Sequence, residues 1–267
     1  MTDLITLDFL RHALEASLLI GLMLSLMGIF VVMRRIVFVG AALAQTSAAG
    51  AALGLLLGLH AEWVAMAVTL AGVALMSVRP RRVAMPSEGA IGLGYALASS
   101  LAILLIARAP GGEADTLLLF YGNILAIQPR ELTHLLILCP ALLTTHALFK
   151  REFLLVSFNP ETARAAGVRV WLWNLLLYVT LGLGISAGIH IAGSLLTFSF
   201  LVLPALAGLM LARRIWHVAA LAVASSVAGS VLGILASVHW DLPTGPCIVA
   251  VLAAEVAAAW VLARITG

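Results

Sequence analysis

Long apolar runs recur from one end of the chain to the other, with short polar breaks between them. They cover about residues 9–33, 37–59, 63–78, 91–107, 133–149, 171–189, 192–211, 218–238 and 248–261. About 20 apolar helical residues span the hydrocarbon, and in lipid the backbone N–H and C=O groups must be satisfied within the helix. The pattern therefore predicts an all-α, polytopic membrane protein of about nine transmembrane helices. The stretch 117–127 is apolar but too short to span, and reads as a short helix or re-entrant piece. An eight-span arrangement follows if one piece is re-entrant. The breaks carry charge or helix-terminating residues: Arg34-Arg35, Arg79-Pro80-Arg81-Arg82, Pro110-Gly111-Gly112-Glu113 and Lys150-Arg151. The first run is longer than a signal-peptide core and lacks a basic leader, so it reads as a retained span.

Composition agrees with the pattern. The chain is 63% hydrophobic and 10% charged, too little charge for a water-exposed surface of this size. No stretch is left over for a second, soluble domain, so residues 1–267 read as one transmembrane domain. The net charge of +3 is no nucleic-acid signal, because the basic residues sit as short groups at span ends. There they report orientation. With the amino terminus outside and the carboxy terminus cytoplasmic, Arg34, Arg35, Arg79, Arg81, Arg82, Lys150, Arg151, Arg164, Arg169, Arg213, Arg214 and Arg264 face the cytoplasm. Arg11, Arg108 and Arg130 face the other side.

Two absences narrow the chemistry. Cys139 and Cys247 lie in apolar surroundings, which indicates neither a disulfide framework nor a zinc cluster. The single lysine, Lys150, follows Thr144-Thr145-His146-Ala147-Leu148-Phe149, so the chain has no phosphate-binding P-loop. Any ATP chemistry has to be supplied by another chain.

The most informative polar insertion is 157–169, on the predicted cytoplasmic side. Asn159 suits a helix N-cap, Pro160 the first helical position, Glu161 the positive end of the helix dipole, and Gly167 the end of about two turns. Such an element either docks a cytoplasmic partner or is an ordinary loop helix. Gly50, Gly54 and Gly58 recur every four residues, the spacing of close helix packing in lipid. Glu255 falls in mid-span, where it either faces a pathway or is a hydrogen-bonded interior residue. His190, His239 and Asp241 fall near the outer ends of spans, where together they can receive a metal. Isolated histidines are more often wet interfacial residues. Glu113 and Asp115 read as solvated loop charges.

Gly184-Ile185-Ser186-Ala187-Gly188 matches G-x-S-x-G, with His190 or His239 as a base. The motif needs a strand-to-helix turn and this one lies in an apolar helix, which leaves an intramembrane serine hydrolase the weakest reading. A secondary transporter calls for internal repeats and broken midplane helices carrying charge. No convincing repeat is visible, and Glu255 is the only clear mid-span charge.

Four stretches resemble the permease subunits of ABC-type divalent metal importers. They are 34–45 (RRIVFVGAALAQ), 120–125 (FYGNIL), 159–167, in which Glu161, Ala163 and Gly167 match the coupling helix, and 192–205 together with 241–245. The resemblance covers nearly the whole chain in order. It implies a bacterial cytoplasmic-membrane importer, a homodimer or close heterodimer of permeases with two cytoplasmic ATPase subunits that bind ATP-Mg, and an extracytoplasmic solute-binding protein. This chain itself would bind no cofactor. The implied cargo is zinc first, manganese or iron next, and Asn159, Glu161, Ala163, Arg164 and Gly167 would carry the ATPase coupling. The family's second-span segment commonly holds an aspartate and a histidine four residues apart, a pair that can hold a divalent cation. Here Ala41 and Gln45 stand at those positions. The candidate pathway residues are then Gln45, Glu255, His190, His239 and Asp241, and a chelated-metal or non-metal cargo is the alternative.

Overall fold

The long apolar runs leave the backbone only one way to satisfy its hydrogen bonds, and the chain takes it. A computed structural model describes residues 2–77, 87–108 and 124–266, and every regular element among them is helical. In chain order these are α1 (Thr2–Met33), α2 (Val37–Leu57), α3 (Ala61–Ser77), α4 (Ser87–Ile106), a 3-10 turn (Ile124–Ala126), α5 (Pro129–Leu148), α6 (Lys150–Phe158), α7 (Pro160–Ala165), α8 (Val170–Leu211), α9 (Ile215–Trp240) and α10 (Thr244–Thr266). The basic knot at 79–82, the 110–113 loop, Asp115 and Phe120-Tyr121-Gly122-Asn123 lie outside the described residues. Of the 117–127 piece, the described part holds only the 3-10 turn.

Six of the described helices are long and apolar enough to cross a membrane: Asp8–Met33, Val37–Leu57, Pro129–Leu148, Val170–Leu211, Ile215–Trp240 and Thr244–Ile265. Ala61–Leu75 and Ile91–Ile106 are apolar but shorter. The protein is an integral membrane protein, and all of its described elements are helical.

At 42 residues, α8 would be about 63 Å long if straight, twice the hydrocarbon thickness. It is not straight. Gly193 has φ 78° and ψ 167°, a backbone conformation open essentially to glycine alone. Thr197 consequently comes within 2.9 Å of where a Cβ on Gly188 would stand, whereas nine residues of straight helix separate two such positions by about 13.5 Å. The runs 171–189 and 192–211 thus meet at this bend.

The bundle is layered around α1, α2 and α8. In α2, 72% of the spanning stretch is buried within the chain, against 17% in α10, so α2 is central and α10 peripheral. Phe200 and Leu201 of α8 pack among Ile20, Met23 and Met27 of α1. There the approach is so close that a Cβ on Gly28 would stand 1.7 Å from the Leu201 carbonyl oxygen. Gly50 and Gly54 let α2 lie directly on the backbone of Ala65 and Ala61 in α3. Gly58 departs from the expected packing stripe: nothing lies within 4 Å of a Cβ built there. Its left-handed φ of 65° instead caps α2.

Buried serine pairs join the central helices. Ser17 donates to Ser230 at 2.8 Å between α1 and α9, and Ser47 donates to Ser186 at 3.1 Å between α2 and α8. In lipid, where apolar surface gives helices little reason to associate, such hydrogen bonds and close small-residue contacts hold the bundle together.

Candidate functional site

The polar insertion folds as its residue types dictate. The Asn159 side chain accepts from the Thr162 N–H at 3.0 Å, Pro160 occupies the first turn, and Glu161 sits at the positive end of the helix dipole. At the far end the Val168 N–H reaches the Ala163 carbonyl at 2.9 Å and the Gly167 N–H reaches that of Arg164 at 3.0 Å. This Schellman ending needs the left-handed φ of 77° that Gly167 supplies. Asn159, Glu161, Arg164 and Gly167 are exposed, whereas Ala163 is fully buried against Val156 of α6 and Val170 of α8. The short helix α7 therefore presents a polar outer face and sits on the bundle through one small side chain.

Beneath α7, α6 is wedged into the bundle by Phe153, which has no exposed surface. Its ring lies 5.8 Å from that of Phe30 on α1, 4.9 Å from His146 on α5 and 5.7 Å from Trp173 on α8. Arg34, at the turn between α1 and α2, reinforces the joint: Nε donates to Ser157 Oγ and Nη1 to Asn174 Oδ1, both at 2.7 Å. Ser157 is free to accept because its own hydroxyl donates to the Phe153 carbonyl. Burial lowers the pKa of the Arg34 guanidinium, with Tyr178 acting in the opposite direction; an arginine nonetheless keeps its charge in a protein. One arginine thus ties the segment bearing α7 to the first and eighth helices, a connection between residues 34, 157 and 174 that no local pattern announces.

Gln45 is 9% exposed, and its carbonyl oxygen is buried without a hydrogen-bond partner. A buried acceptor left unpaired is costly, which makes this oxygen a natural contact for a polar guest. Ala41, one turn earlier on α2, offers no ligand atom.

The remaining sequence candidates fall in separate places. Glu255 of α10 is half-buried and accepts a hydrogen bond from Ser225 of α9, so its carboxylate is engaged between α9 and α10. Asp241 ends α9 in the left-handed region at φ 51°, and exposed His239 packs edge-on to Trp240 at 5.5 Å. His190 joins neither of them. His190 pairs with Glu131 instead, and among the described residues His190, His239 and Asp241 do not form one ligand group. Among the described residues no three His, Cys, Asp or Glu side chains are arranged to hold a metal ion as they stand. Ser186 is buried in helix and hydrogen-bonded to Ser47; without a strand-to-helix turn it is no nucleophile elbow.

His190 belongs to a group that the sequence reading missed. Its Nε2 lies 3.3 Å from Glu131 Oε1, and beside this pair His134 Nδ1 lies 3.3 Å from Glu62 Oε1. All four line one cavity of about 30 Å³, backed by Leu135, Leu138 and Ile191. The apolar pattern predicts a fifth span from 133. The helix begins at Pro129 instead, because Glu131 Oε2 accepts the Gln128 N–H at 2.8 Å and so stabilises the first turn. The overlooked signal was Glu131-Leu132-Thr133-His134, whose three-residue spacing puts carboxylate and imidazole on one helical face.

The model of the ABC 3 transport family matches residues 6–263. The manganese import system permease protein ScaB of Streptococcus parasanguinis is 28% identical over 241 residues, spanning 90% of this chain and 86% of the relative. The manganese transport system membrane protein MntC of Halalkalibacterium halodurans is 27% identical over 252 residues, spanning 93% of this chain and 85% of the relative. The structure of PsaBC from Streptococcus pneumoniae in complex with Fab superposes with a TM-score of 0.85 at 25% identity, covering 94% of this chain and 91% of that one. The chain belongs to the ABC 3 transport family.

Proposed function

We propose that this chain is the permease subunit of an ATP-driven importer of a divalent metal ion, working as a homodimer with two cytoplasmic ATPase subunits and an extracytoplasmic solute-binding protein. The observation that carries the reading is α7: a capped, outward-facing helix seated through Ala163 on an anchored α6. Asn159, Glu161, Arg164 and Gly167 offer the ATPase a polar surface, and Phe153 and Arg34 pass its movement to α1, α5 and α8. The chain would bind no cofactor itself, with ATP-Mg held by the ATPase.

The topology proposed is nine spans with the amino terminus outside. The six long helices, the bend that divides α8 in two and the shorter apolar α3 and α4 are compatible with that count. The cargo proposed is manganese ahead of zinc or iron, since the relatives described above are named for manganese.

The test is ATP-dependent accumulation of manganese, zinc or iron in vesicles carrying the chain with its ATPase and binding protein. Accumulation of none, with intact ATP turnover, would replace the reading with a chelated-metal or non-metal cargo. In the same vesicles, Gly167→Leu is expected to lower uptake at least tenfold while ATP hydrolysis persists. A branched side chain at φ 77° costs about 1–2 kcal/mol and loosens the end of α7. Normal metal-coupled turnover in that variant would remove α7 from the coupling role.

The departure at 41 and 45 has its own test. The double variant Ala41→Asp, Gln45→His creates a carboxylate and an imidazole one turn apart on α2. Buried without metal they should destabilise the bundle, and with metal they should stabilise it, so added Mn²⁺ or Zn²⁺ should raise the melting temperature of the variant more than that of the parent. An equal shift in both would place the metal path away from α2.

A further inference from the structure

We propose that Glu62, Glu131, His134 and His190 form a divalent-cation site at the end of the bundle opposite α7, a site that rests on the metal-permease reading and names where this chain handles the ion. Three helices supply it: α3 through Glu62 in its first turn, α5 through Glu131 and His134, and α8 through His190. His134 stands about 21 Å along α5 from Leu148, and His190 about 30 Å along α8 from Val170, so the site and the coupling joint lie at opposite ends of the same helices.

Each Glu–His contact is long, at 3.3 Å, and the four side chains are between 25% and 38% exposed; pairs of that kind contribute little stability. Among the described residues the ion-pair partner of each carboxylate is a histidine rather than an arginine or lysine. The two carboxylates stand against an apolar wall of Leu135, Leu138 and Ile191, where negative charge has to be balanced by positive charge. A divalent cation supplies the missing charge. As they stand the carboxylates and rings are engaged in two separate pairs around one cavity, and holding one ion would require the side chains to rotate into it. The cavity of about 30 Å³ accommodates a single ion or water-sized guest.

The donor set also selects the ion. Two carboxylates and two imidazoles suit Mn²⁺, Fe²⁺ or Zn²⁺, whereas Ca²⁺ and Mg²⁺ favour oxygen ligands alone. Glu131 is held in place from outside the cluster, because its Oε2 is engaged by the Gln128 N–H while Oε1 faces His190. Such support of a ligand by a further hydrogen bond raises affinity. His190 lies three residues before the Gly193 bend, so occupancy of the site bears directly on the hinge that folds α8.

The experiment uses the full chain in lipid nanodiscs, titrated with Mn²⁺ followed by electron paramagnetic resonance and with Co²⁺ followed by its visible absorption. One ion per chain is expected, with Zn²⁺ displacing Mn²⁺. Glu62→Gln and His190→Gln are each expected to weaken binding at least tenfold, while Glu15→Gln, a carboxylate paired with Arg11, and His217→Gln, an exposed histidine, leave it unchanged. Spin-echo modulation of bound Mn²⁺ in the unaltered chain should carry imidazole nitrogen couplings, a readout that does not depend on any variant folding. No binding, no nitrogen coupling, or unchanged affinity in Glu62→Gln/His190→Gln would overturn the site. Vesicle uptake separates this from the larger reading. ATP-driven metal uptake without binding at the cluster removes the site and leaves the importer, and binding at the cluster without uptake of any metal does the reverse.

Discussion

Gly193→Ala is expected to abolish ATP-driven uptake and to destabilise the isolated permease by about 1–3 kcal/mol, the range for a side chain forced into a forbidden backbone region. At φ 78° and ψ 167° the residue occupies a conformation that a Cβ obstructs. The bend cannot relax by straightening, because Ile191, Ala192, Ser194 and Leu196 around it are buried, and Thr197, with no exposed surface, is held against Gly188. A straightened α8 would also exceed the bilayer by about 30 Å. Thermal unfolding in nanodiscs measures the first effect and vesicle uptake the second. Gly89→Ala is the control, since nothing lies within 4 Å of a Cβ at that exposed glycine; it should match the parent in both measurements. A Gly193→Ala protein as stable and active as the parent would mean that the bend is dispensable.

Arg34→Ala is expected to uncouple the transporter: ATP hydrolysis continues and uptake falls at least tenfold. Removing the guanidinium breaks two charge-assisted hydrogen bonds and leaves Asn174 Oδ1 without its donor, at a cost of about 1–3 kcal/mol. The loss falls on the joint between the α7-bearing segment and the central helices, so it should appear in the ratio of metal moved to ATP hydrolysed more than in folding. Arg34→Lys should recover that ratio only in part, because a single ammonium lacks the planar fork that reaches Ser157 and Asn174 in a fixed geometry. The neighbouring Arg35 is exposed, and Arg35→Ala should leave coupling within twofold of the parent. An unchanged ratio in Arg34→Ala would confine the arginine to a structural role.

These two positions differ in how far they could be read beforehand. The sequence breaks its apolar pattern between 189 and 192, near Gly193, but a glycine in a run of small residues does not declare a bend. Only the packing of Thr197 on Gly188 reveals one. Arg34 reads as one of a basic pair at a span end, an orientation signal; its partners at 157 and 174 are more than a hundred residues away. The cap of α7 was legible in full, because Asn159, Pro160 and Gly167 act on their own backbone within a few residues. Gly58 shows the opposite failure: its four-residue spacing from Gly54 suggested packing, and only the end of α2 one residue earlier makes it a cap.

The ligand cluster was the least legible. Glu62 and Glu131 each have an ordinary reading at the start of a helix, and His134 and His190 each read as lone polar residues near a membrane boundary. Nothing in a linear pattern draws 62, 131, 134 and 190 together. What the sequence by itself determined is the membrane class, the helical character and the capped element at 159–167, since the bilayer and the helix end both act on properties carried by neighbouring residues. What the tertiary structure decided is the bend at Gly193, the Arg34 joint and the convergence of two carboxylates and two imidazoles. Those depend on which helices lie side by side, and that choice is made by close contacts between small residues and buried polar pairs, because apolar side chains are as well solvated by lipid as by one another.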